Sequence, residues 1–535
     1  MSTRQQEPSP PHVVVRLAVA ALAGLTALAA VATLWWPYGW DQGVFGWVSD
    51  TILRGGLPYR DAWDVKGPLV YYVFAAVEGV LGRGMWGIRV FDLALLAAAA
   101  LAARRLVRPI AGPTAGVVAA LVLVLVYLGH GYWNTAQPDS WAGLVFVLAF
   151  VPLAGPLMEG RGPGAGALAF SATLVGVAAL AKPLYAVFGI LPGLAALLPP
   201  SEGPLGRRLA RGALLVAAFL APVAATAAWF HAQGALDTLV DVYVRHNMRQ
   251  AELERASLEP GHGVLLTGLR TAARNPALPI GGVLALLALV QLWRSPLDGE
   301  RRLALLFAGW VLTASACVAL QMRFWPYHRQ VLNPALAVLG VVALARLARP
   351  GGVRTGWRRP LVLGVAALLL VGVALPPAKQ ARRWLSYMTG RQTAEEYYGN
   401  FTGGDGRSWR LVEDFAVADY LRARTRPAES VLVWTDPLVN YLADRPAPGR
   451  SVFHIPLTAI LDSAARGRHR AELVEAMARE RPAYLVIERS AFVVTPRPGR
   501  ANLGTGWPEL VDSVRAGWRV DTAIGRYDLF VPAPR

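Results

Sequence analysis

Apolar runs recur through the first 375 residues of this chain, their interiors almost free of charge, with short polar loops between them. They fall at 13–36, 88–107, 113–128, 141–157, 165–181, 184–198, 213–230, 278–293, 303–320, 331–347 and 361–375. A bilayer core takes about 20 apolar residues as a helix and only about 9–11 as a tilted strand. These runs are too long for barrel strands, and only helices or closed barrels satisfy the backbone in lipid. The pattern therefore predicts a polytopic helical membrane protein of about eleven spans. A further run, 69–81, is apolar but short and carries Glu78.

The arginines decide the place of that short run, because basic residues collect in cytoplasmic loops. If 69–81 is not a span, Arg104/Arg105/Arg108, Arg207/Arg208/Arg211, Arg294/Arg301/Arg302 and Arg346/Arg349/Arg354/Arg358/Arg359 all fall inside. If it is a span, all fall outside. The run is accordingly expected to be an external helix lying at the membrane interface. This puts residues 1–12, a polar and Pro-rich tail, in the cytoplasm and the loop 37–85 outside. The loops holding Asp139, Lys182, residues 231–275 and residues 323–328 join it on that external face.

After residue 377 no spanning run remains. Helical periodicity over 412–424 is followed by Pro427 and a β-rich run at 430–434. A helix is expected over 471–480 and a buried strand over 483–488. The runs 518–523 and 526–531 flank Gly525 as a terminal hairpin. The expectation is a transmembrane module over 13–377 followed by a small extracytoplasmic α/β domain over 378–535, exported because the span count is odd. Gly403–Gly406 follows no expected strand and is read as a loop, not a phosphate cradle. Asn400-Phe401-Thr402 fits a glycosylation sequon.

Composition agrees with this. The chain is 54% hydrophobic and 16% charged, with a mean hydropathy of +0.38. The net charge of +18 lies mainly in short loops, which is a topology signal rather than a nucleic-acid footprint. The single cysteine, Cys317, allows no intrachain disulfide. The first apolar run exceeds a signal-peptide core, so it reads as an uncleaved anchor.

Candidate chemistry gathers on the external face. Within residues 38–68, the acids Asp41, Asp61 and Asp64, the cations Arg60 and Lys66 and the aromatics Trp40, Trp47, Tyr59 and Trp63 sit at the mouth of the first span. Charge beside a bilayer is costly unless paired or facing water, which marks a functional site. An interfacial aromatic belt is the plain alternative, but a belt has no use for three carboxylates. Asp41 suits a general base on an acceptor hydroxyl, a divalent-metal ligand, or a helix cap. Asp139, after Gln137-Pro138, suits a cap of the next span, a function at the same place, or both. Lys182, before Pro183, either snorkels to the interface or supplies a point charge for a phosphate. Arg323, His328 and Arg329 are placed to grip a phosphate, with Tyr327 and its aromatic neighbours suited to a sugar ring or prenyl chain. His231, His246 and His262 are too widely spaced to argue for a metal.

At these residues the chain resembles the GT-C membrane glycosyltransferases, in the branch of protein O-mannosyltransferases and lipid A aminoarabinose transferases. The resembling pieces are Asp41, the run Gly56-Leu57-Pro58-Tyr59-Arg60-Asp61 with Asp64-Val65-Lys66-Gly67-Pro68-Leu69-Val70-Tyr71-Tyr72, Gln137-Pro138-Asp139, Lys182-Pro183, and Arg323-Phe324 with Tyr327-His328 and Asn333-Pro334. The first-loop run is the most specific of them. Many members carry a second acid directly after the first-loop aspartate. Here that position is Gln42, which leaves a two-carboxylate metal site short of a ligand.

The resemblance implies a polyprenyl-phosphate sugar donor and inversion at the anomeric carbon. It implies an acceptor hydroxyl on the exported side, on a glycan, lipid or protein. Asp41 and Asp139 are then the catalytic candidates; Tyr59, Arg60, Asp61, Asp64, Lys66, Lys182, Arg323, Tyr327 and His328 are the binding ones. The partners are membrane lipids and the lipid-linked donor, with no nucleic acid. The rival expectation is a transporter or flippase for lipid-linked sugars. That class places ionisable residues near mid-membrane on broken helices, whereas the runs here are nearly free of charge and Asp92 sits near an outer end.

Overall fold

The computed structural model describes residues 10–198, 204–256, 264–275, 277–321, 324–349, 358–401, 411–434, 437–453, 455–489, 507 and 516–534. Arg323, His262, Thr402, Gly403–Gly406 and most of the expected tail lie outside the described residues. The chain divides into two compact units. One holds Met1–Trp36, Arg89–Val223 and Val264–Arg391; the other holds Pro37–Ile88, Ala224–Gly263 and Gln392–Arg535.

The first unit is a helical bundle. Among the described residues, five helices, Val13–Trp35, Pro138–Met158, Leu205–Ala232, Asp298–Leu320 and Pro360–Met388, are long and apolar enough to cross a membrane. Shorter apolar helices include Pro113–Gly129, Ala165–Ala181, Ala277–Trp293 and Asn333–Leu347. The run at 88–107 lies within the helix Met85–Ala111.

The run at 184–198 departs from expectation. It forms a 3-10 segment, Pro183–Gly189, followed by a short helix, Ile190–Leu197. The break begins at Lys182, which is extended at φ −158° and ψ 120°. A residue before proline is pushed out of the helical region, and here that residue is also the candidate cation. The run at 361–375 departs the other way, since its helix continues through Pro376 and Pro377 to Met388. Gly390, at φ 70°, lies just beyond its end.

The bundle has two chemically distinct ends. At one, Lys182 meets Asp139 and Gln321, and Gln330 Nε2 donates to the Asn134 carbonyl at 3.0 Å. At the other, Arg346 pairs with Glu300 at 2.7 Å and Arg349 donates to the Ile110 carbonyl at 2.7 Å. The arginine-rich loops and the loops of candidate chemistry are thus segregated, as the positive-inside argument requires.

The second unit joins the first loop to the C-terminal part of the chain. Strands β1 (Val431–Val433), β2 (Tyr484–Glu488), β3 (Trp518–Ile524) and β4 (Tyr527–Pro532) form one sheet in the order β1-β2-β4-β3. β1 and β2 are parallel; β2–β4 and β3–β4 are antiparallel. A parallel pair needs a crossover, supplied here by the helices Pro437–Ala443 and Ser463–Glu480. The expected hairpin forms around Gly525, at φ 51°. Val417 and Leu421 pack on Val431, Val486, Tyr527 and Leu529 as the core.

The helix Pro68–Leu81 lies in this unit, beside the helix Trp40–Leu53. At 14 residues it spans roughly 21 Å, less than the hydrocarbon core of about 30 Å. Its acid is satisfied: Ser49 and Tyr441 hydroxyls donate to the two oxygens of Glu78, each at 2.6 Å. Arg83 pairs with Asp50 and lies over the Tyr441 ring at 4.4 Å.

A buried Ser451–His469 hydrogen bond of 2.8 Å lies near Glu472. It is not a nucleophile–base–acid relay, because serine and glutamate both reach the same ring nitrogen, Nδ1. Burial, with Arg450 beside it, lowers the His469 imidazole to about 4, and burial lowers His246 in the same direction. The unfolded chain therefore takes up protons first as pH falls. The stability tied to His469 is complete above its unfolded value of 6.5 and drains as pH drops toward 4. His469→Asn keeps a bond to Ser451 but cannot titrate. The melting temperature of this unit should fall between pH 7 and pH 5 in the wild type and fall less in that variant.

In the bundle, a Cβ on Gly143 would strike the Gln330 carbonyl, while one on Gly155 of the same helix meets nothing within 4 Å. Gly143→Ala should cost about 1–3 kcal/mol, the usual range for overpacking, with Gly155→Ala near neutral. Thermal unfolding in nanodiscs measures the difference.

Candidate active site

The second unit carries Asp41 in the first turn of the helix Trp40–Leu53. The cap of that helix is Gly39, not Asp41, and Gln42 Oε1 accepts the Gly39 N–H at 2.8 Å. Gln42 is fully buried and closes the helix start from the third helical position, as a capping-box glutamine does. Asp41 remains half-buried at the helix N-terminus, where the peptide dipoles favour a negative charge.

Asp64 is buried and accepts the Tyr71 hydroxyl at 2.8 Å. Burial pushes its carboxyl above the usual carboxylate range, against the pull of Lys66, Tyr71 and the Val65 N–H; the charge of Asp41 adds to the rise. Asp41, Asp64 and Lys66 therefore form one electrostatic group. The Lys66 carbonyl accepts both the Tyr59 and Tyr71 hydroxyls, at 2.8 and 3.2 Å.

Arg60 and Asp61 stand apart from it. Arg60 pairs with Asp61 at 2.7 Å in an exposed contact, so Arg60 is not the cation that offsets Asp41. Asp61 also accepts the Leu57 N–H at 2.8 Å, which closes the turn. Tyr59 is fully buried at φ 69°, a left-handed conformation that costs a bulky residue about 1–3 kcal/mol unless its surroundings enforce it.

The bundle carries the other candidates. Asp139 lies in the first turn of the helix Pro138–Met158, whose cap is Gln137. Ser140 Oγ accepts the Gln137 N–H at 2.9 Å and donates to its carbonyl at 2.8 Å. Asp139 is thus not the cap expected from sequence. Its oxygens instead accept Lys182 Nζ at 3.2 and 3.3 Å, and the Tyr185 hydroxyl. Gln321 Oε1 accepts from Lys182 as well. The pair is asymmetric: the Asp139 side chain is 1% exposed and that of Lys182 24%. Lys182 is the more exposed member of the pair.

Two residues that the sequence reading did not place in the site, Arg89 and Asp92, support this loop. Arg89, fully buried, donates to Thr135 Oγ1 at 3.0 Å and to the Tyr132 carbonyl at 3.2 Å. Asp92 accepts Trp141 Nε1 at 2.8 Å and the Tyr127 hydroxyl. The legible signal was an opposite-charge pair three residues apart at the start of an apolar helix. Ala136, at φ 51°, is a second non-glycine residue held left-handed beside a candidate acid.

Tyr327 packs edge-on against His328 at 4.7 Å, and His328 and Arg329 are buried. The Arg329 guanidinium donates to the Asn275 side-chain oxygen at 2.6 and 3.1 Å. Among the described residues, no three His, Cys, Asp or Glu side chains gather to hold a metal ion. Gln42 and Lys66 occupy the positions beside Asp41 and Asp64.

No protein-family model matches the chain, and no curated protein matches it significantly. Solved structures do. ArnT from Cupriavidus metallidurans bound to undecaprenyl phosphate superposes with a TM-score of 0.58 at 16% identity, over 99% of this chain and 100% of that one. The same protein in the apo state gives 0.52 at 16%, over 98% and 99%. The apo oligosaccharyltransferase of Archaeoglobus fulgidus gives 0.52 at 11%, over 88% of this chain and 70% of that one. Identities this low speak to architecture, and the architecture is shared from end to end with ArnT. This is a multi-pass membrane protein with the fold of the GT-C glycosyltransferases.

Proposed function

We propose that the protein is an inverting glycosyltransferase that moves a sugar from a polyprenyl-phosphate carrier to an acceptor hydroxyl on the extracytoplasmic side. The observation that carries this reading is the Lys182–Asp139–Tyr185–Gln321 cluster at one end of an apolar bundle. A cation held there by a buried acid suits a phosphate on a lipid carrier. The undecaprenyl phosphate of the ArnT complex supplies the chemical class.

The proposed step balances simply. Asp41 takes the proton of the acceptor hydroxyl as its oxygen attacks the anomeric carbon. The bond from that carbon to the phosphate oxygen breaks on the opposite face, and the polyprenyl phosphate leaves with the electron pair. Lys182 and Lys66 steady the charge that develops on it. Asp139 works through Lys182, fixing where the ammonium points. Tyr327, His328 and Arg323 are assigned to the donor, and Asp64 to orienting Lys66. The donor set around Asp41 does not suit a metal, so no step is routed through one.

General-base catalysis contributes about 10²–10⁴-fold, so Asp41→Asn should lower transfer by that order with membrane insertion and donor binding intact. Lys182→Ala should weaken donor binding more than acceptor binding. Assays with polyprenyl-phosphate sugars in nanodiscs read both. Near wild-type transfer by Asp41→Asn removes it as the base; carrier translocation without transfer favours a flippase. The arginine asymmetry also assigns the N-terminus to the cytoplasm and the C-terminal part to the exported side. A reporter fused after Arg535 should be active only in the exported compartment.

A further inference from the structure

The turn that precedes Asp64 and Lys66 is gripped from the C-terminal part of the same unit, nearly 400 residues away in sequence. Arg450 Nη1 donates to the Tyr59 carbonyl at 3.0 Å. The Arg450 carbonyl accepts the Trp63 N–H at 2.9 Å. One residue thus holds both ends of the 59–63 turn, and the turn holds itself by Tyr59 N–H to the Ala62 carbonyl at 2.7 Å. The guanidinium is in turn fixed by Glu472, through Nε at 2.9 Å and Nη2 at 2.8 Å. Such two-point pairs set a direction as well as a charge.

Three further observations point the same way. Tyr59, the residue whose carbonyl Arg450 binds, is the one held at φ 69°. Strain of that kind persists only where the surroundings over-determine it. Trp63 is wedged among Phe453, His246 and His469 at ring distances of 6.2, 5.4 and 4.9 Å, so the turn cannot slide. The Tyr59 hydroxyl, at the far end of the same side chain, donates to the Lys66 carbonyl at 2.8 Å. The path from Arg450 to Lys66 therefore runs through a single strained tyrosine.

We propose that Arg450, braced by Glu472, is a positioning residue that locks the Tyr59–Lys66 segment and so sets where Lys66 and Asp64 stand toward the donor phosphate. This rests on the transferase reading for its catalytic consequence, but not for the clamp itself. On this account the C-terminal part of the chain is a component of the donor site rather than an appendage to it.

The test uses the full-length chain in nanodiscs with Arg450→Ala and Arg450→Lys. Lysine keeps the charge but cannot bridge Glu472 and the Tyr59 carbonyl as a planar fork does. Hydrogen–deuterium exchange should quicken over residues 57–66 in both variants and stay unchanged in β1 and β2. The KM for the donor should rise about tenfold in Arg450→Ala, the scale of one lost charge-assisted hydrogen bond, with the acceptor KM unchanged. The lysine variant should show a smaller rise. Unchanged exchange over 57–66 overturns the clamp whatever the kinetics. Faster exchange with an unchanged donor KM overturns the positioning role, as does a fall in kcat with both KM values in place. If the wild type transfers no sugar, the transferase reading fails while the exchange data still decide the clamp.

Discussion

A charge taken out of water must find a partner, and this constraint organises both units. Removing one member of a buried pair costs about 3–5 kcal/mol, because the other is left stranded. Among the described residues the bundle meets the constraint with Lys182 and Asp139, Arg89 near Asp92, and Arg346 and Glu300. Each pair sits at a bundle end, and the first two are completed by neutral donors or acceptors. In the Lys182 pair the acid is buried and the lysine side chain is the more exposed member. An ammonium fixed this way needs little reorganisation when an anion arrives, which is the condition under which electrostatic stabilisation is strongest.

The same constraint explains why residues 37–88 belong with the C-terminal part of the chain. One oxygen of Glu78 takes its hydrogen bond from Tyr441, and Arg83 is engaged both by Asp50 and by the Tyr441 carbonyl. The fit is close as well as charged. A Cβ on Gly43 would lie 2.8 Å from the Leu438 Cβ, so the helices Trp40–Leu53 and Pro437–Ala443 approach at a distance only glycine permits. Asp41 opens the first of these helices. Its position therefore depends on packing against residues nearly 400 positions later.

What the sequence made legible follows from which signals are local. The spans 13–36, 141–157 and 303–320, the strand at 483–488 and the hairpin at Gly525 all rest on period and turn chemistry, which act over a few residues. Asp139 and Lys182 stood out in the sequence because each borders an apolar run. Partner choice was not. Asp139 looked like a cap because it follows Pro138, but Gln137 and Ser140 satisfy that helix start by themselves and release Asp139 to Lys182. Arg60 pairs with its neighbour Asp61 within the same turn. The run at 184–198 had the composition of a span, but Lys182 ahead of Pro183 takes an extended backbone and the helix starts late. Arg450 was invisible, since nothing local ties an arginine near residue 450 to a tyrosine at 59.

Gln42 connects the local to the distant. A second carboxylate at that position would add negative charge near Asp64, whose ionisation the charge of Asp41 already opposes. Glutamine keeps the reach of a capping side chain and removes the charge. Its Oε1 accepts the Gly39 N–H. The residue that looks like a missing metal ligand is then part of what fixes the first turn of the Asp41 helix. Within one unit, Gln42 closes the start of the helix that carries Asp41, and Arg450 holds the turn that leads to Lys66, so separate devices fix the two segments.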